Sequence, residues 1–555
     1  MKVVLSPASA ESYEHELAIL TEARAASRLA GRDAHLWGDS SAQTAENRLG
    51  WVDLPASDHP EIARAEELRH ELAKRGVHRF VLSGMGGSSL GAAVIAKALE
   101  VELTFLTSTA PAAVRRAFGD DLKHTGLIVA SKSGTTVETR SHLAAFEAAC
   151  ADAGLDAAER LVAITDAGSE LDDAARFAAV FTTPADVGGR YSAFTAFGLV
   201  PAVLAGGDPR SLVDSAAKCA SVLAGDEDNP AMELAAFLSS AHARDVDKLV
   251  LADQTGVGLG AWIEQLIGES LGKNGRGLLP IAVEDPASEL IQNAGPDVST
   301  LVLASSGAEY TEPPAPVSGH FGAVSGSLGG ALYLWEFTTA LLAFSTAVDP
   351  FDQPDVESAK VSARAALADP ESVQSMDLVF SYENIDVYGD EHTLGSVRSI
   401  SGAVRALTDA VPEFGYLAIQ AFVDPDRFAA IGALREAVFR LTGVVTTFGY
   451  GPAYLHSTGQ YHKGGRNNGA FIQITADRVG DDLPVPGKDC TFAQLLRAQA
   501  DGDADALRRA ERPVIRLHLR TDGWEQLGRS LGLEIKRNQN LPDRSLCILS
   551  AFPLR

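Results

Sequence analysis

Short apolar runs alternate with helical patterns along the first two thirds of the chain. Between residues 51 and 205 the strand-like runs are Phe80–Leu82, Leu103–Leu106, Leu127–Ala130, Leu161–Ile164 and Val180–Thr182. A second series, between 206 and 365, comprises Leu249–Ala252, Leu279–Val283 and Thr300–Ala304. Strands that alternate with helices predict parallel sheets covered by helices on both faces.

The same pattern predicts four segments along the chain. Residues 1–50, rich in Ala, Glu and Arg, are predicted to form a helical arm. Residues 51–205 and 206–365 are predicted to form two doubly wound parallel-sheet domains, and residues 366–555 a C-terminal α/β domain. The strand-like runs of this last segment are Tyr416–Ala421, Val444–Thr447, Phe471–Thr475 and Val514–Leu517. The predicted fold class is therefore α/β.

Composition narrows the class of protein. The chain has 555 residues, 46% of them hydrophobic, and a formal net charge of −26, which argues against nucleic-acid binding. We interpret this acidity as an aid to solubility. The alternative is a host adapted to high salt. Four widely spaced cysteines and no apparent secretion signal predict a reducing, cytoplasmic location. The apolar run from Leu328 to Val348 carries Glu336 in its middle, which favours a buried helix over a membrane span.

Two loops of small residues each follow a predicted strand and precede a helical pattern. We call Ser83–Ser89 the first phosphate loop and Ser131–Thr136 the second. Glycines let backbone N–H groups approach an anion, hydroxyls add further donors, and the following helix begins with a positive dipole end. Neither loop has the Walker pattern or the glycine spacing of a dinucleotide-binding loop. Together they predict a cradle for one phosphate monoester.

Further blocks make the chain resemble a known family. They are Val187–Ser192, Gln265–Ser270 with Gly272-Lys273, Asp349–Pro354 with Lys360, and His456–Tyr461. With the two loops, which are similar to those of sugar isomerase (SIS) domains, they resemble the glucose-6-phosphate isomerases over roughly residues 30–365 and 444–475. The resemblance implies two SIS-type domains and an aldose–ketose isomerisation in glycolysis and gluconeogenesis.

Such a reaction needs a group that opens the sugar ring, a base that moves a proton between C2 and C1, and a positive charge that stabilises the enediolate. The resemblance assigns Glu269 as the base, Arg190 as the stabilising charge and Lys360 as a group near the ring oxygen. The implied substrate-binding residues are Gly87, Ser88, Ser89, Ser131, Lys132, Ser133, Gly134, Thr135, Thr136, Gln265 and His462.

The histidine departs from the family order. In glucose-6-phosphate isomerases the ring-opening histidine lies between the base and the Asp-Gln-Pro segment, where this chain has only His320, which matches no family block. The histidine block recurs instead at His456, after Lys360. A similar order occurs in the isomerase half of transaldolase–isomerase fusions. We therefore expect His456 to open the ring and His462 to support it.

Two other functions would use part of the same set of residues. A dual phosphoglucose/phosphomannose isomerase is disfavoured by Gln265, because such relatives often carry threonine there. A non-catalytic sugar-phosphate sensor would need the phosphate loops but not a base, an arginine and a lysine in register. We expect no cofactor and no metal, since His456 and His462 have no third ligand at suitable spacing. The expected partner is a small-molecule sugar phosphate, without nucleic acid or membrane, and a homodimer is the assembly considered.

Overall fold

The computed structural model describes residues 1–119, 121–368, 376–477, 483–521, 523–537 and 546–551. These residues divide into two compact units. The first unit comprises Met1–Thr107, Ala117–Gln353 and His456–Tyr461, and the second comprises Ser108–Arg116, Pro354–Leu455 and His462–Arg555. No helix among the described residues combines the length and the apolarity needed to cross a membrane.

The first sheet of the first unit is five-stranded and parallel, in the order β3-β2-β4-β5-β6. Its strands are β2 (Arg79–Gly84), β3 (Thr104–Leu106), β4 (Thr125–Ala130), β5 (Leu161–Asp166) and β6 (Ala179–Thr183). The helices along this part of the chain are α4 (Pro60–Lys74), α5 (Leu90–Ala98), α6 (Pro111–Phe118), α7 (Val137–Asp152) and α8 (Ala196–Leu204). Strand β4 is buried along its whole length, as an apolar strand covered on both faces should be.

The second sheet of the first unit has the order β1-β10-β9-β7-β8. Its strands are β1 (Lys2–Ser6), β7 (Lys248–Asp253), β8 (Leu279–Val283), β9 (Val298–Ser305) and β10 (Phe321–Gly326). The helices here are α9 (Arg210–Leu223), α10 (Pro230–His242), α11 (Leu259–Leu271), α12 (Glu289–Gln292) and α13 (Leu328–Ser345). Helix α13 is buried almost throughout, including Glu336, as the apolar run around that glutamate predicted.

The N-terminal stretch differs from the predicted helical arm. Strand β1 pairs antiparallel with β10 and forms an edge of the second sheet. Three short helices follow: α1 (Ala10–Glu22), α2 (Ala25–Ala30) and α3 (Asp39–Glu46). Their apolar faces join the core of the first unit, so residues 1–50 belong to that unit and do not form a separate arm.

The second unit contains a six-stranded mixed sheet in the order β11-β12-β16-β15-β13-β14. Its strands are β11 (Asp377–Tyr382), β12 (Ile385–Gly389), β13 (Tyr416–Phe422), β14 (Thr446–Tyr450), β15 (Gly469–Ala476) and β16 (Val514–Leu519). Strands β17 (Leu533–Arg537) and β18 (Leu546–Ala551) form a separate antiparallel pair. The remaining helices are α14 (Pro354–Ala368), α15 (Glu391–Leu394), α16 (Ile400–Asp409), α17 (Leu434–Thr442), α18 (Gly459–Gly464), α19 (Phe492–Arg509) and α20 (Gly523–Ser530). The predicted fold class of parallel-sheet α/β domains is confirmed.

Candidate active site

The two phosphate loops lie side by side at the carboxyl ends of two neighbouring strands of the first sheet. The first follows β2 and the second follows β4, and these two strands pair directly in parallel register. Because the carboxyl ends of neighbouring parallel strands lie on the same side of a sheet, both loops lie there. Helices α5 and α7 begin directly after the loops, so the N-terminal dipole ends also favour an anion on this side.

The hydroxyl groups of the second phosphate loop hydrogen-bond in pairs. Ser131 Oγ lies 2.9 Å from Thr136 Oγ1, and Ser133 Oγ lies 2.8 Å from Thr135 Oγ1. Ser133 and Thr135 are exposed, and Gly134 has a positive φ of 70° that permits the tight turn. The Lys132 side chain donates to Asp166 Oδ1 at 2.7 Å. This part of the loop therefore offers hydroxyls and backbone N–H groups, while its only cationic side chain is already paired.

Close backbone approach in the first phosphate loop explains its glycines. A Cβ at Gly86 would clash with the carbonyl oxygen of His456 and with the Gln265 amide, and a Cβ at Gly87 would clash with the Gly189 carbonyl. Three distant segments therefore meet at this loop. Ser88 is half-buried within it.

Ser89 ends the first phosphate loop in a buried position. Its hydroxyl donates to the Gly86 carbonyl at 3.1 Å. This bond stabilises the conformation of the loop. The predicted contact between Ser89 and substrate stays a prediction.

The candidate base lies on α11 beside a cation. Glu269 Oε1 is 3.2 Å from Arg190 Nη1, and both side chains are buried. Gln265, one helical turn before Glu269, donates its amide N–H groups to Glu269 Oε2 at 3.0 Å and to the His456 carbonyl at 2.9 Å. The predicted shared face of Gln265 and Glu269 is thus present, as the helical spacing of four residues requires.

Arg190 is held in place by the segment that precedes α14. Its guanidinium donates to the Gln353 side chain at 2.7 Å and to the carbonyl groups of Pro350 at 2.7 Å and Asp352 at 2.9 Å. The neighbouring Tyr191 ring stacks on Trp51 with centroids 4.9 Å apart, deep in the core. A guanidinium fixed by several acceptors is a permanent positive charge with little freedom to move.

Lys273 is a buried lysine that the sequence analysis quoted without a role. Its ammonium group donates to Asp352 Oδ1 at 2.6 Å and to the Asp352 carbonyl at 2.7 Å, and also to the Asp349 carbonyl. Burial, and secondarily the nearby Arg190 charge, lowers its pKa to about 8. Lys273 therefore supports the same segment that fixes Arg190.

His456 is paired with a carboxylate that the sequence analysis missed. Its Nε2 lies 3.2 Å from Glu138 Oε1. Burial acts to raise the pKa of the Glu138 carboxyl, but the charge and hydrogen bond of His456, with a backbone hydrogen bond and the His142 charge, together lower it. An ionised carboxylate only accepts hydrogen bonds, so the Nε2 nitrogen carries the proton in this pair and Nδ1 is left for proton exchange. Glu138 lies in the first turn of α7, where an acidic residue is usually read as a partner of the helix dipole, so its role was not visible in the sequence.

Two buried polar atoms at this site have no hydrogen-bond partner among the described residues. They are Arg190 Nε, a donor, and Gln265 Oε1, an acceptor. Buried polar groups are usually satisfied in folded proteins, so this donor and this acceptor beside Glu269 are suited to bond to a polar ligand. Sugar hydroxyls, which both donate and accept, match this requirement.

Two predicted site residues belong to the second unit. Lys360 lies in α14, but its side chain is outside the described residues.

His462 is buried, with Nδ1 3.0 Å from the Tyr416 hydroxyl and its ring stacked on Tyr416. Burial, followed by the charges of Lys463 and Arg512, places its pKa well below the ordinary value. His462 therefore packs inside the second unit, and both its expected supporting role and its contact with substrate stay predictions.

His320 is a structural histidine. Its Nδ1 accepts the Ala8 N–H at 3.1 Å, its Nε2 donates to the Phe237 carbonyl at 2.8 Å, and its ring stacks on Phe237. Burial lowers its pKa to about 4. With both nitrogens engaged, the ring has no nitrogen left for substrate. This agrees with the sequence, in which His320 lies in none of the blocks that resemble the family.

A metal site was not expected, and that expectation stays a prediction. Among the described residues, the single group with three histidine, cysteine or carboxylate ligand atoms close together is His78, Asp121 and His124. Its aspartate and His78 are exposed, and none of the three belongs to the loops or to the Glu269 and His456 pairs.

The arrangement can bind a phosphate, move a proton and stabilise an anion in one compact unit. Two phosphate loops at the carboxyl ends of parallel strands, with a buried glutamate–arginine pair and a histidine–glutamate pair nearby, define an α/β protein of the sugar isomerase type.

Comparison with known proteins assigns the family. Residues 58–276 match the phosphoglucose isomerase family model. The probable glucose-6-phosphate isomerase of Haloquadratum walsbyi is 30% identical over 349 residues, covering 53% of this chain and 81% of the relative. The glucose-6-phosphate isomerase of Staphylococcus saprophyticus is 31% identical over 255 residues, covering 42% of this chain and 57% of the relative. The chain thus matches little more than half the length of that relative.

A solved structure shares the fold. A hypothetical protein from Thermus thermophilus superposes with a TM-score of 0.56 at 26% identity, covering 66% of this chain and all of that protein. The chain belongs to the phosphoglucose isomerase family.

Proposed function

We propose that this protein reversibly isomerises glucose 6-phosphate and fructose 6-phosphate by ring opening and proton transfer through a cis-enediolate. The observation that carries the proposal is the convergence of the Glu269–Arg190 and Glu138–His456 pairs beside the two phosphate loops, all within the first unit. Each chemical requirement of the reaction then has a side chain of the right type.

Each pair supplies one part of the reaction. His456, oriented by Glu138, exchanges a proton through Nδ1 to open the ring. Glu269 takes the proton from C2 and returns it to C1, while the fixed Arg190 charge stabilises the negative oxygen of the enediolate. The phosphate loops hold the sugar phosphate throughout. Lys360 is proposed to act near the ring oxygen.

The alternative functions are less well supported. A sensor needs no base, yet Glu269 is buried against Arg190 and hydrogen-bonded by Gln265. In a mannose 6-phosphate isomerase the proton must also reach the other face of C2. The Gln265 amide, which bonds to both Glu269 and the His456 carbonyl, favours a single arrangement of the base.

Location and assembly are proposals of the same kind. A cytoplasmic location follows from the sugar-phosphate substrate and from free cysteines, of which Cys150 and Cys219 are buried. We also propose that the enzyme needs no cofactor and acts as a homodimer; size-exclusion chromatography with light scattering tests the latter.

A coupled assay of fructose 6-phosphate turnover tests the function. His456→Ala should slow turnover by about 10²-fold or more. His320→Ala is the matched histidine control, and at equal folded concentration its turnover should stay near the parent value. A purified, folded parent protein without isomerase activity would contradict the proposal, and so would a His320→Ala variant that reproduces the His456→Ala defect.

A further inference from the structure

The second unit contains a cavity that the proposed reaction does not use. Its volume is ≈ 490 Å³, within the range of about 300–1,000 Å³ typical of small-molecule sites. Val423 follows β13, Ala476 ends β15 and His518 lies near the end of β16, and all three line the cavity. The cavity therefore lies at the carboxyl ends of three neighbouring parallel strands.

The position of this cavity in the sheet is the one that favours ligand binding. From β13 the chain crosses through α17 to β14 on one side, whereas from β15 it crosses through α19 to β16 on the other side. Strands β13 and β15 are neighbours, so the connections leave the sheet in opposite directions between them. Such a topological switch point opens a crevice at the strand ends, where α/β proteins bind their ligands. We call this space the switch-point cavity.

A chain of polar side chains lines one wall of the switch-point cavity. Thr475 Oγ1 lies 2.9 Å from His518 Nδ1, and His518 Nε2 lies 3.1 Å from Asp477 Oδ1. The Asp477 side chain keeps 45% of its surface exposed. A carboxylate at the end of a parallel strand, oriented by its neighbours and still exposed, can accept hydrogen bonds from ligand hydroxyls.

Among the charged groups of the lining, Arg427 differs from the others. Arg497 is held by Asp501 at 2.9 Å, and Asp424 is held by Arg116 at 2.8 Å. Arg427 is exposed, lies over the Phe428 ring at 5.3 Å and makes no ion pair with another described residue. A guanidinium that lines a cavity and pairs with no described carboxylate is suited to bind an anionic group.

A segment from elsewhere in the chain completes the cavity. Ala110, Pro111 and Ala112 line it, and they belong to the second unit although they follow β3 of the first sheet. Pro111 and Ala112 begin α6, whose first N–H groups have no intrahelical acceptor. The lining also has an apolar wall, made by Phe422, Phe428 and Leu496.

We propose that the switch-point cavity binds a small hydroxylated organic anion of the size of a nucleoside monophosphate. The anionic group pairs with Arg427 and the start of α6, hydroxyl groups bond to Asp477 and Thr475, and the flat apolar body packs against the phenylalanine and leucine wall. This site is separate in the sequence from the phosphate loops and does not depend on the isomerase reaction.

Isothermal titration of the full-length protein with AMP, ribose 5-phosphate, adenosine and inorganic phosphate tests the proposal. We expect AMP to bind, and Arg427→Ala to weaken AMP by about tenfold or more, the usual loss for one charged hydrogen bond. Adenosine, which lacks the anion, should be insensitive to that change. If ribose 5-phosphate binds as tightly as AMP, the occupant is a sugar phosphate and the apolar wall is not used for a base.

Two control variants make the result specific. Arg405→Ala removes another exposed arginine of the second unit, one outside the cavity lining, and should leave AMP binding unchanged. Leu496→Trp fills the cavity and should abolish binding, while Ser133→Ala combined with Thr136→Ala should not. No binding of any probe at millimolar concentration would overturn the proposal. AMP binding that survives Leu496→Trp but is lost in the phosphate-loop variant would also overturn it, because the anion would then occupy the sugar-phosphate site.

Discussion

The pairing of Glu138 with His456 can be tested by a substitution that keeps its shape. Glu138→Gln preserves size and one hydrogen-bond acceptor but removes the charge that lies 3.2 Å from the imidazole. At an effective dielectric constant near 20, two unit charges at this distance attract by about 5 kcal/mol. The His456 side chain keeps 15% of its surface exposed, and the neutral amide still accepts a hydrogen bond. We therefore expect a smaller loss, about 1.5–3 kcal/mol, which is the usual contribution of a hydrogen bond to a charged group.

That free energy corresponds to a decrease in kcat of about 10- to 100-fold. The assay compares fructose 6-phosphate with an analogue that lacks the 5-hydroxyl group and cannot close into a ring. Because Glu138 acts on the reaction only through His456, the loss should be large for the cyclic substrate and small for the open-chain analogue. KM for fructose 6-phosphate should change little, since the phosphate contacts remain.

Glu147→Gln is the matched control for this substitution. Glu147 lies on the same helix and is paired with Arg176 at 2.7 Å on the surface. The Glu147→Gln substitution should leave kcat for both substrates unchanged. An equal loss of kcat on cyclic and open-chain substrates in Glu138→Gln would refute the reasoning, because the pair would then support the whole site and not ring opening.

The remaining predictions concern the base, the phosphate, metal and acid stability. Glu269→Gln should lower kcat by about 10³-fold or more and abolish exchange of solvent deuterium into C2; retained exchange would identify another carboxylate as the base. Ser133→Ala combined with Thr136→Ala should raise KM with kcat nearly unchanged, because the phosphate is bound equally in the ground and transition states; an unchanged KM would mean that the phosphate binds elsewhere. Dialysis against a chelator should leave turnover intact, and a loss that zinc or manganese restores would contradict the metal-free mechanism. The lowered pKa of Glu138 stabilises the fold above the ordinary glutamate pKa, and this contribution should disappear as the pH falls through the lowered value. Acid unfolding of Glu138→Gln should therefore show a weaker dependence on pH in that range, and an unchanged dependence would refute the assignment.

The strands that the sequence predicted are those with strong local patterns. Strand β4 is a continuous apolar run that is buried along its length, and every predicted strand of the two sheets of the first unit is present. The two strands of these sheets that were not predicted, β1 and β10, have weak patterns. Strand β10 carries two glycines and a serine, and β1 is a short edge strand whose residues are only partly buried. An edge strand such as β1 gains its stability from pairing with a distant partner, so propensity over a few residues does not reveal it.

The sequence by itself determined the phosphate loops, the shared helical face of Gln265 and Glu269, and the α/β class, because each depends on spacing between near neighbours in the chain. Only the tertiary structure decided which distant groups meet. Glu138 and His456 are separated by 318 positions, and the segment His456–Tyr461 joins the first unit although its flanking residues belong to the second. The switch-point cavity likewise needs the start of α6 beside strands that come three hundred residues later. Such contacts arise from strand order and core packing, in which the whole chain takes part, so no local pattern of polar and apolar residues encodes them.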